Sequence, residues 1–387
     1  MPALLLGLLA TPAALSANSV TMALPEIGED LGVSVGSATW IATVFGLLMA
    51  VCTPLMAALL KRRGVRAVVL GCAVLVAVGT LLVVVAGAMP LLIAGRGAQA
   101  IGGSGLVTTA INLAGTPRRM GVVTAGSGIL GALGPLAGSL LTAQVSWHAA
   151  LSLSALALAA VPGVLRAAPA LPEEDPRRPF DVVGAVVLML LVSALVFIPR
   201  FPLPALVCAA VIAAVLAVRV RIRPDGFVPV AVLRAPVFLS ASVVVCALST
   251  SYFSLLYIVP RILEGGEGWD AGLVGTGTLV ALMAGSAASW LLAAFSTRMS
   301  RRALLVVLLA LGALAPVMAA VAPWAALMLV ASGVSVFVSS SGQATLSVYA
   351  AHSVPDTQRP TAIGLFTLCY QLGGAFGPAL AALLVAA

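Results

Sequence analysis

The sequence predicts an all-α polytopic membrane protein, built from two pseudo-symmetric helix bundles with an inserted two-helix hairpin. Its 387 residues are 61% hydrophobic and only 8% charged, with a mean hydropathy of +1.17, whereas soluble domains carry about 25% charged residues. Long apolar stretches, each near the ~20 residues that cross a bilayer as helix, alternate with short polar turns. Three local patterns also recur after about 235 residues. The matching segments are 23–27 and 258–262, 56–66 and 292–302, and 134–135 and 377–378.

About 13 transmembrane helices are predicted from the apolar stretches. The repeat divides the chain unevenly. Residues 1–168 are predicted to form an N-terminal six-helix bundle, and residues 230–387 a C-terminal bundle of five helices that lacks the sixth. Residues 169–229 are predicted to be a proline-rich cytoplasmic linker followed by the inserted hairpin. The predicted spans are 3–25, 37–60, 66–88, 90–113, 121–144, 149–166, 182–199, 203–220, 237–259, 270–295, 303–322, 324–348 and 359–386.

Nearly all of the 20 basic residues fall in alternate loops, which the positive-inside rule assigns to the cytoplasm. The N-terminus is then predicted inside and the C-terminus outside, in a multi-pass protein of the inner, cytoplasmic membrane. Because the positive charge marks topology, the net charge of +8 does not indicate nucleic-acid binding, and the lipid bilayer is the expected partner. The most basic loop follows the second span and contains Lys61, Arg62, Arg63, Gly64 and Arg66.

Residue types that form enzyme centres are scarce. The five cysteines all fall in apolar segments, so they are interpreted as packing residues and not as disulfides or metal ligands. His148 and His352 are predicted on opposite sides of the membrane, which excludes a paired metal site. The sequence shows no nucleotide-binding loop, metal-ligand spacing or nucleophile arrangement. We therefore expect no enzyme activity and no cofactor, and internal duplication in so apolar a chain is typical of secondary transporters.

Five short motifs occur in one order along the chain. They are LSANSVTMALP at 15–25, Gly95-Arg96 with Gln99, Gly102 and Gly103, then Gly131, Gly134-Pro135 and Gly138, then FDVVG at 180–184, and YQLGG at 370–374. With the inserted hairpin, these motifs resemble the fourteen-span drug:proton antiporter branch of the major facilitator superfamily over nearly the whole chain. The resemblance implies a major facilitator fold in a monomer. It also implies efflux of drugs or antibiotics by alternating access, with protons as the coupling ion.

The chain departs from the pattern of that branch at several positions. Ser16 stands where the first-span motif has an aspartate, Lys61 where the basic loop has an aspartate, and Tyr370 where the last motif has an arginine. The sequence predicts thirteen spans, the last at 359–386, where the branch has fourteen. These departures leave a second hypothesis open, in which the chain is a degenerate or truncated relative without transport activity that acts as a partner or regulatory membrane protein.

Arg96 is the sole charged residue that lies inside a predicted span. Two interpretations are open: an arginine that faces a cavity and organises a gate, with Glu26 as its nearest carboxylate, or an arginine that snorkels to the interface. Because no acidic residue lies inside a span, we hypothesise that Glu26 or Asp181 replaces the missing coupling aspartate, with solvated loop charge as the alternative. Proline-kinked, glycine-rich helices are predicted to act as gates. The candidate gating and coupling residues are Arg96, Gln99, Glu26, Asp181, Gly134, Pro135, Gly138, Gly377 and Pro378.

Uncharged polar and aromatic residues inside the spans are the candidates for a substrate cavity. A cavity of apolar, amide and aromatic groups suits a small amphipathic substrate, although each of these side chains can equally form an interhelical hydrogen bond. The candidates are Asn18, Thr21, Met22, Asn112, Tyr252, Tyr257, Gln343, Tyr370 and Gln371.

Overall fold

A computed structural model describes residues 2–168, 180–198, 201–265, 269–321 and 324–386, with the side chains at 35–36, 264–265, 271, 378–379 and 382–386 outside this description. Within these ranges the chain is helical and contains no strand. Helices satisfy every backbone hydrogen bond within one segment, which a chain of this hydropathy requires in lipid. The predicted all-α fold class is therefore confirmed. The chain divides into two compact units, Met1–Gly115 with Gly126–Arg178, and Thr116–Ala125 with Pro179–Ala387.

The first part of the chain forms seven α-helices and one 3₁₀ segment. The elements are α1 (Ala3–Asp30), α2 (Val35–Ala38), α3 (Trp40–Val84), α4 (Met89–Ala114), α5 (Pro117–Gln144), α6 (Trp147–Leu151), the 3₁₀ segment Leu153–Ala160, and α7 (Val161–Ala167).

The second part forms eight α-helices and two 3₁₀ turns within the described residues. They are α8 (Val182–Phe197), α9 (Pro202–Ile222), α10 (Val230–Arg234), α11 (Pro236–Gly265), α12 (Ala271–Phe295), the turn Ser296–Arg298, α13 (Arg301–Ala320), α14 (Ala325–His352), the turn Asp356–Gln358, and α15 (Arg359–Ala386).

Helix α3 contains the second and third predicted spans. At 45 residues it has a length of about 67 Å of helix, which is twice the ~30 Å thickness of the hydrocarbon core. Gly64 divides it with a non-helical backbone (φ 72°, ψ 174°). A positive φ carries little strain only in glycine, so this residue makes the turn inside the predicted basic loop.

The sixth predicted span is not one α-helix. Helix α6 ends at Leu151, eight residues of 3₁₀ helix follow, and α7 resumes the α-helix. A 3₁₀ run rarely exceeds about four residues, and longer ones often mark strain or a hinge. The prediction of a continuous helix over 149–166 is corrected here, because apolar composition does not distinguish 3₁₀ from α backbone.

Eight helices of the described residues are long and apolar enough to cross a membrane, judged by length and composition. This number includes α3 once, although its two arms correspond to two predicted spans. Large apolar side chains remain exposed along these helices, such as Leu203 at 76% and Leu4 at 80%. Apolar exposure on this scale is typical of surfaces that face lipid.

The two units have related apolar clusters. In the first unit, Val20, Ala23 and Ile27 of α1 are buried in a cluster that includes Leu92 and Trp147. In the second unit, α11 contributes Leu255, Val259 and Leu263 to a cluster with Val274 and Ala325. The α1 and α11 residues are separated by about 235 positions, the spacing of the sequence repeat. The predicted pseudo-symmetry is thus present in the packing of each unit.

Candidate functional site

Arg96 of α4 is fully buried inside the first unit. Its Nη1 donates to the Ser16 hydroxyl at 2.9 Å and to Gln99 Oε1 at 2.9 Å, and lies 3.4 Å from the Leu151 carbonyl. Its Nη2 donates to the Ser16 carbonyl at 3.1 Å. Arg96 is near the start of α4 (Met89–Ala114), and an arginine costs up to about 2.5–3.5 kcal/mol on insertion scales when it lies at the centre of a membrane helix. Full burial favours the interpretation of an inward-facing arginine over one that snorkels to the interface.

No carboxylate is among the contacts that the described residues make with Arg96. The guanidinium lies over the Phe45 ring at 4.1 Å from the centroid, and its Nε has no hydrogen-bond partner in the part of the chain that the structure describes. Glu26 lies ten residues beyond Ser16 on α1, a distance of about 15 Å along the helix. The expected pairing of Arg96 with Glu26 is therefore not found, because the Arg96 side chain points to the middle of α1 and not to its end.

Gln99 orients this cluster from the next turn of α4. Its Oε1 accepts from Arg96, and its Nε2 donates to the Thr80 hydroxyl at 3.2 Å and to the Leu151 carbonyl at 3.2 Å. The i, i+3 spacing of Arg96 and Gln99 places them on one face of α4. Because both ends of the amide have partners, Gln99 holds the guanidinium at a fixed angle.

The Leu151 carbonyl accepts hydrogen bonds from three side chains because α6 ends there. The amide of Ala155, four residues on, donates to Ser152 and not to Leu151. The freed carbonyl accepts from Arg96, Gln99 and the Ser16 hydroxyl. A helix C-terminus carries partial negative charge, so the break in the sixth span places a weak counter-dipole beside the buried cation.

Helices α1 and α5 approach closely along a glycine seam, defined here as the contact of Gly131, Gly134 and Gly138 with α1. The Asn18 side chain donates to the Gly131 carbonyl at 2.8 Å. A β-carbon at Gly134 would lie 2.6 Å from Asn18 Cβ, and one at Gly138 would collide with the Ser19 carbonyl. Small residues permit such backbone approach in lipid. Helix α5 continues through Pro135 without an interruption of its helical assignment.

The second unit has a matching seam between α11 and α15, formed by Gly373, Gly374 and Gly377. A β-carbon at Gly373 would lie 2.7 Å from the Cys246 carbonyl, and one at Gly377 would be 2.8 Å from the Ser254 amide. The Ser254 hydroxyl donates to the Gly377 carbonyl at 3.0 Å. This bond repeats, from the opposite unit, the side-chain-to-glycine bond of Asn18.

Aromatic residues accompany the second seam. The ring centroids of Tyr252 and Phe253 are 4.6 Å apart, and those of Phe253 and Tyr370 are 6.3 Å apart. The structure thus brings together two of the predicted cavity residues, Tyr252 and Tyr370, around a phenylalanine that the sequence analysis did not select.

The other predicted cavity residues show mixed environments. Asn18 and Met22 are exposed in the first unit, and Thr21 donates to the Asn18 carbonyl at 2.8 Å. Asn112 donates to the Thr108 carbonyl within its own helix. Tyr257 is exposed in the second unit. The half-buried residues of this set are Asn112, Tyr252, Gln343, Tyr370 and Gln371, and the side chain of Pro378 lies outside the description.

Asp181 caps the N-terminus of α8 and binds the end of α9. Its carboxylate accepts from the Gly184 amide at 3.0 Å, the Phe227 amide at 3.1 Å and Arg219 Nε at 3.1 Å. Burial alone raises the pKa of this carboxyl, but the hydrogen bond and charge of Arg219 with the two amides outweigh it, so the pKa falls below its ordinary range. These contacts favour a structural role over proton exchange near neutral pH.

Glu26 lines an acidic cavity of about 500 Å³ at the end of α1. Within it, Trp147 Nε1 donates to the Asp30 carboxylate at 3.0 Å. The Trp147 ring stacks on the His148 ring, and their centroids are 3.5 Å apart. Glu26 itself is exposed. The cavity is lined by Glu26, Glu29, Asp30, Val145, Ser146, Trp147 and His148.

A family model described as Major Facilitator Superfamily matches residues 5–378. The chain belongs to the major facilitator superfamily. It is 23% identical over 300 residues to the "Uncharacterized MFS-type transporter YvkA" of Bacillus subtilis (strain 168). The aligned region covers 74% of this chain and 67% of the relative. The predicted superfamily is confirmed, and with it the multi-pass membrane placement and the general class of membrane transporter.

Two solved structures of this superfamily are similar to the chain. The human organic anion transporter MFSD10 (TETRAN) aligns with a TM-score of 0.64 at 16% identity, over 98% of this chain and 92% of that chain. The proton:xylose symporter XylE, bound to 6-bromo-6-deoxy-D-glucose, aligns with a TM-score of 0.61 at 13% identity, over 97% and 86%. At these identities the likeness shows the major facilitator fold.

Three partners of Arg96 were not predicted from the sequence. Ser16 was identified only as the place of a missing aspartate, and that departure was the available signal for its contact with Arg96. Phe45 is one of many apolar residues of its span and carries no distinguishing signal. The Leu151 contact is made by a backbone oxygen, which residue identity does not reveal.

Proposed function

We propose that this chain is an exporter that moves small amphipathic organic molecules across the cytoplasmic membrane by alternating access, as a monomer. The observation that carries the proposal is the pair of glycine seams, one in each unit. Each seam joins a first helix to a glycine-rich helix by backbone contact and one side-chain-to-glycine hydrogen bond. Because the closest contacts are made by helix backbone at glycines, with Phe253 as the large side chain at the second seam, the helices of each seam can tilt against each other with limited repacking.

The proposed direction rests on the resemblance of the α5 seam to an antiporter motif. Gly131, Gly134-Pro135 and Gly138 follow the order of the fifth-helix motif of drug:proton antiporters, although their spacing differs from that motif by one residue. The proposal retains that branch, an N-terminal bundle over 1–168, an inserted hairpin over 169–229 and a C-terminal bundle over 230–387. It also retains the cytoplasmic position of the N-terminus.

Proton coupling is part of the proposal, and Glu26 is the preferred group. Its carboxylate is exposed and lines a cavity, so it is open to water. Asp181 is the weaker candidate, because Arg219 and two amides stabilise its ionised form. One of the two similar solved structures is an organic anion transporter and the other is a proton:xylose symporter, so the fold does not select the substrate.

An accumulation assay in efflux-deficient cells tests the proposal. We expect cells that express the chain to retain less of a fluorescent amphipathic dye than cells with an empty vector, and an uncoupler to remove the difference. Glu26→Gln should abolish the pH dependence of efflux, and Asp181→Asn should leave it in place in whatever protein reaches the membrane.

Two outcomes would contradict the proposal in different ways. Equal accumulation of every tested compound with and without the chain would favour the alternative of a homologue without transport activity. Efflux that keeps its pH dependence after both substitutions would remove Glu26 and Asp181 from the coupling mechanism while leaving export in place.

A further inference from the structure

The buried cation of Arg96 lacks a counter-charge within the described residues. A charge removed from water is costly unless hydrogen bonds or an opposite charge stabilise it, and an opposite charge does so more strongly than neutral oxygens do. The groups that face the guanidinium come from four elements, and all of them are neutral: the hydroxyl and carbonyl of Ser16 on α1, the Phe45 ring on α3, the Gln99 amide on α4 and the Leu151 carbonyl of α6.

Two features distinguish this arginine from a satisfied structural one. Its Nε–H has no acceptor among the described residues, although the side chain is fully buried. Its Nη groups are held by neutral oxygens, which bind a guanidinium less strongly than a carboxylate does. The site therefore has both an unused donor and an unmatched positive charge.

We propose that an organic anion, a carboxylate with an apolar body, is the transported substrate and supplies the counter-charge of Arg96. This inference rests on the proposed function and specifies its substrate class. A carboxylate matches the planar guanidinium with two parallel hydrogen bonds. The Phe45 ring is 2% exposed and lies against the guanidinium, so it would contact the apolar body of such a molecule once the enclosure has opened.

Access to Arg96 requires that its enclosure opens, and the break at Leu151 is the place for it. Ser16, Phe45 and Gln99 lie within continuous helices, whereas Leu151 ends α6 and an eight-residue 3₁₀ segment follows. The Leu151 carbonyl bond to Arg96 is long, at 3.4 Å. A movement of this segment would open one of the four elements that enclose the guanidinium and would leave α1, α3 and α4 helical.

Substitution of Ser16 provides a test in which size and charge are separated. The Ser16 hydroxyl is 2.9 Å from Arg96 Nη1, so Ser16→Asp places a fixed carboxylate against the guanidinium. Ser16→Asn has the same size without the charge. We expect Ser16→Asp to lower the affinity for an organic anion at least tenfold, and Ser16→Asn to lower it less.

Binding is measured on the purified full chain, by thermal shift with benzoate, its neutral amide benzamide, the cation benzylamine and sodium chloride as probes. We expect benzoate to stabilise the wild type and the other three probes to have little effect. Arg96→Gln removes the positive charge and should also lose the stabilisation by benzoate. This variant provides the test if Ser16→Asp does not fold. Arg298→Gln is the matched control, because Arg298 also lies near an aromatic ring, at 5.9 Å from Phe295, but is exposed.

Each outcome decides the inference. Benzoate binding that is unchanged in Ser16→Asp and Arg96→Gln would overturn it, as would equal effects of benzamide or benzylamine. Stabilisation by chloride equal to that by benzoate would show a site for small inorganic anions and overturn the substrate assignment. If the chain transports a neutral solute but does not bind benzoate, the anion inference is refuted and the proposed export remains. If it binds benzoate but transports no solute, export is refuted and the anion site remains.

Discussion

The seam between α1 and α5 is open to a direct test by Gly138→Ala. A β-carbon at residue 138 would lie 2.9 Å from both Cα and the carbonyl carbon of Ser19, and closer still to the Ser19 oxygen. Favourable carbon contacts need about 3.5 Å or more. Because the obstacle is the backbone of α1 and not a rotatable side chain, the two helices must separate by roughly 0.6 Å or more.

The magnitude follows from two opposing effects. Overpacking in a well-packed core costs about 1–3 kcal/mol, and alanine in a helix is favoured over glycine by about 1 kcal/mol. We expect a net destabilisation of up to about 2 kcal/mol, which is a factor of up to about 30 in an equilibrium constant. The hydrogen bond from Asn18 to Gly131 lies on the same seam and should lengthen from its 2.8 Å.

The assay compares thermal unfolding and initial efflux rate in Gly138→Ala and Gly71→Ala. Gly71 also lies in a helix, and a β-carbon there would meet nothing within 4 Å. The control should therefore keep its efflux rate and be as stable as the wild type or slightly more so. If Gly138→Ala behaves like Gly71→Ala in both measurements, close backbone contact between α1 and α5 is not needed and the reasoning fails.

Two further predictions concern the loops. Asp181→Asn should destabilise the protein by about 2–3 kcal/mol at neutral pH, because it unpairs the partly buried Arg219. Since the folded-state pKa of Asp181 is depressed, this stabilisation is present at neutral pH and is lost as the pH falls through that pKa, so thermal unfolding of wild type and variant should converge in strong acid. Gly64→Ala should lower the melting temperature, because φ of 72° costs alanine roughly 1 kcal/mol or more; an unchanged melting temperature would contradict the turn at Gly64.

Much of the helical layout follows from composition, since each long apolar run must be helical in lipid. The same reasoning failed over residues 149–166, where the apolar run contains a 3₁₀ segment. That break depends on which neighbouring donors reach the freed carbonyls, such as the Ser19 hydroxyl at 2.8 Å from the Ala150 carbonyl. Tertiary contacts of this kind leave no local pattern in the sequence.

The candidate site was predictable in part. The i, i+3 spacing of Arg96 and Gln99 puts them on one helix face, and their hydrogen bond follows from it. The partner across the unit did not follow, because the expectation of a carboxylate selected Glu26, whereas the structure uses the oxygens of Ser16. Sequence reasoning assumes that a buried charge finds an opposite charge, and here the enclosing groups are neutral.

Solute counterflow in proteoliposomes tests the central claim of alternating access most directly. Vesicles that contain the purified chain are loaded with unlabelled benzoate, and labelled benzoate is added outside at a lower concentration. The account predicts a transient accumulation of label above its equilibrium level, which saturates with concentration and is reduced in Ser16→Asp. Label that enters only to equilibrium, without saturation or overshoot, for benzoate and for an amphipathic dye alike, would contradict the account.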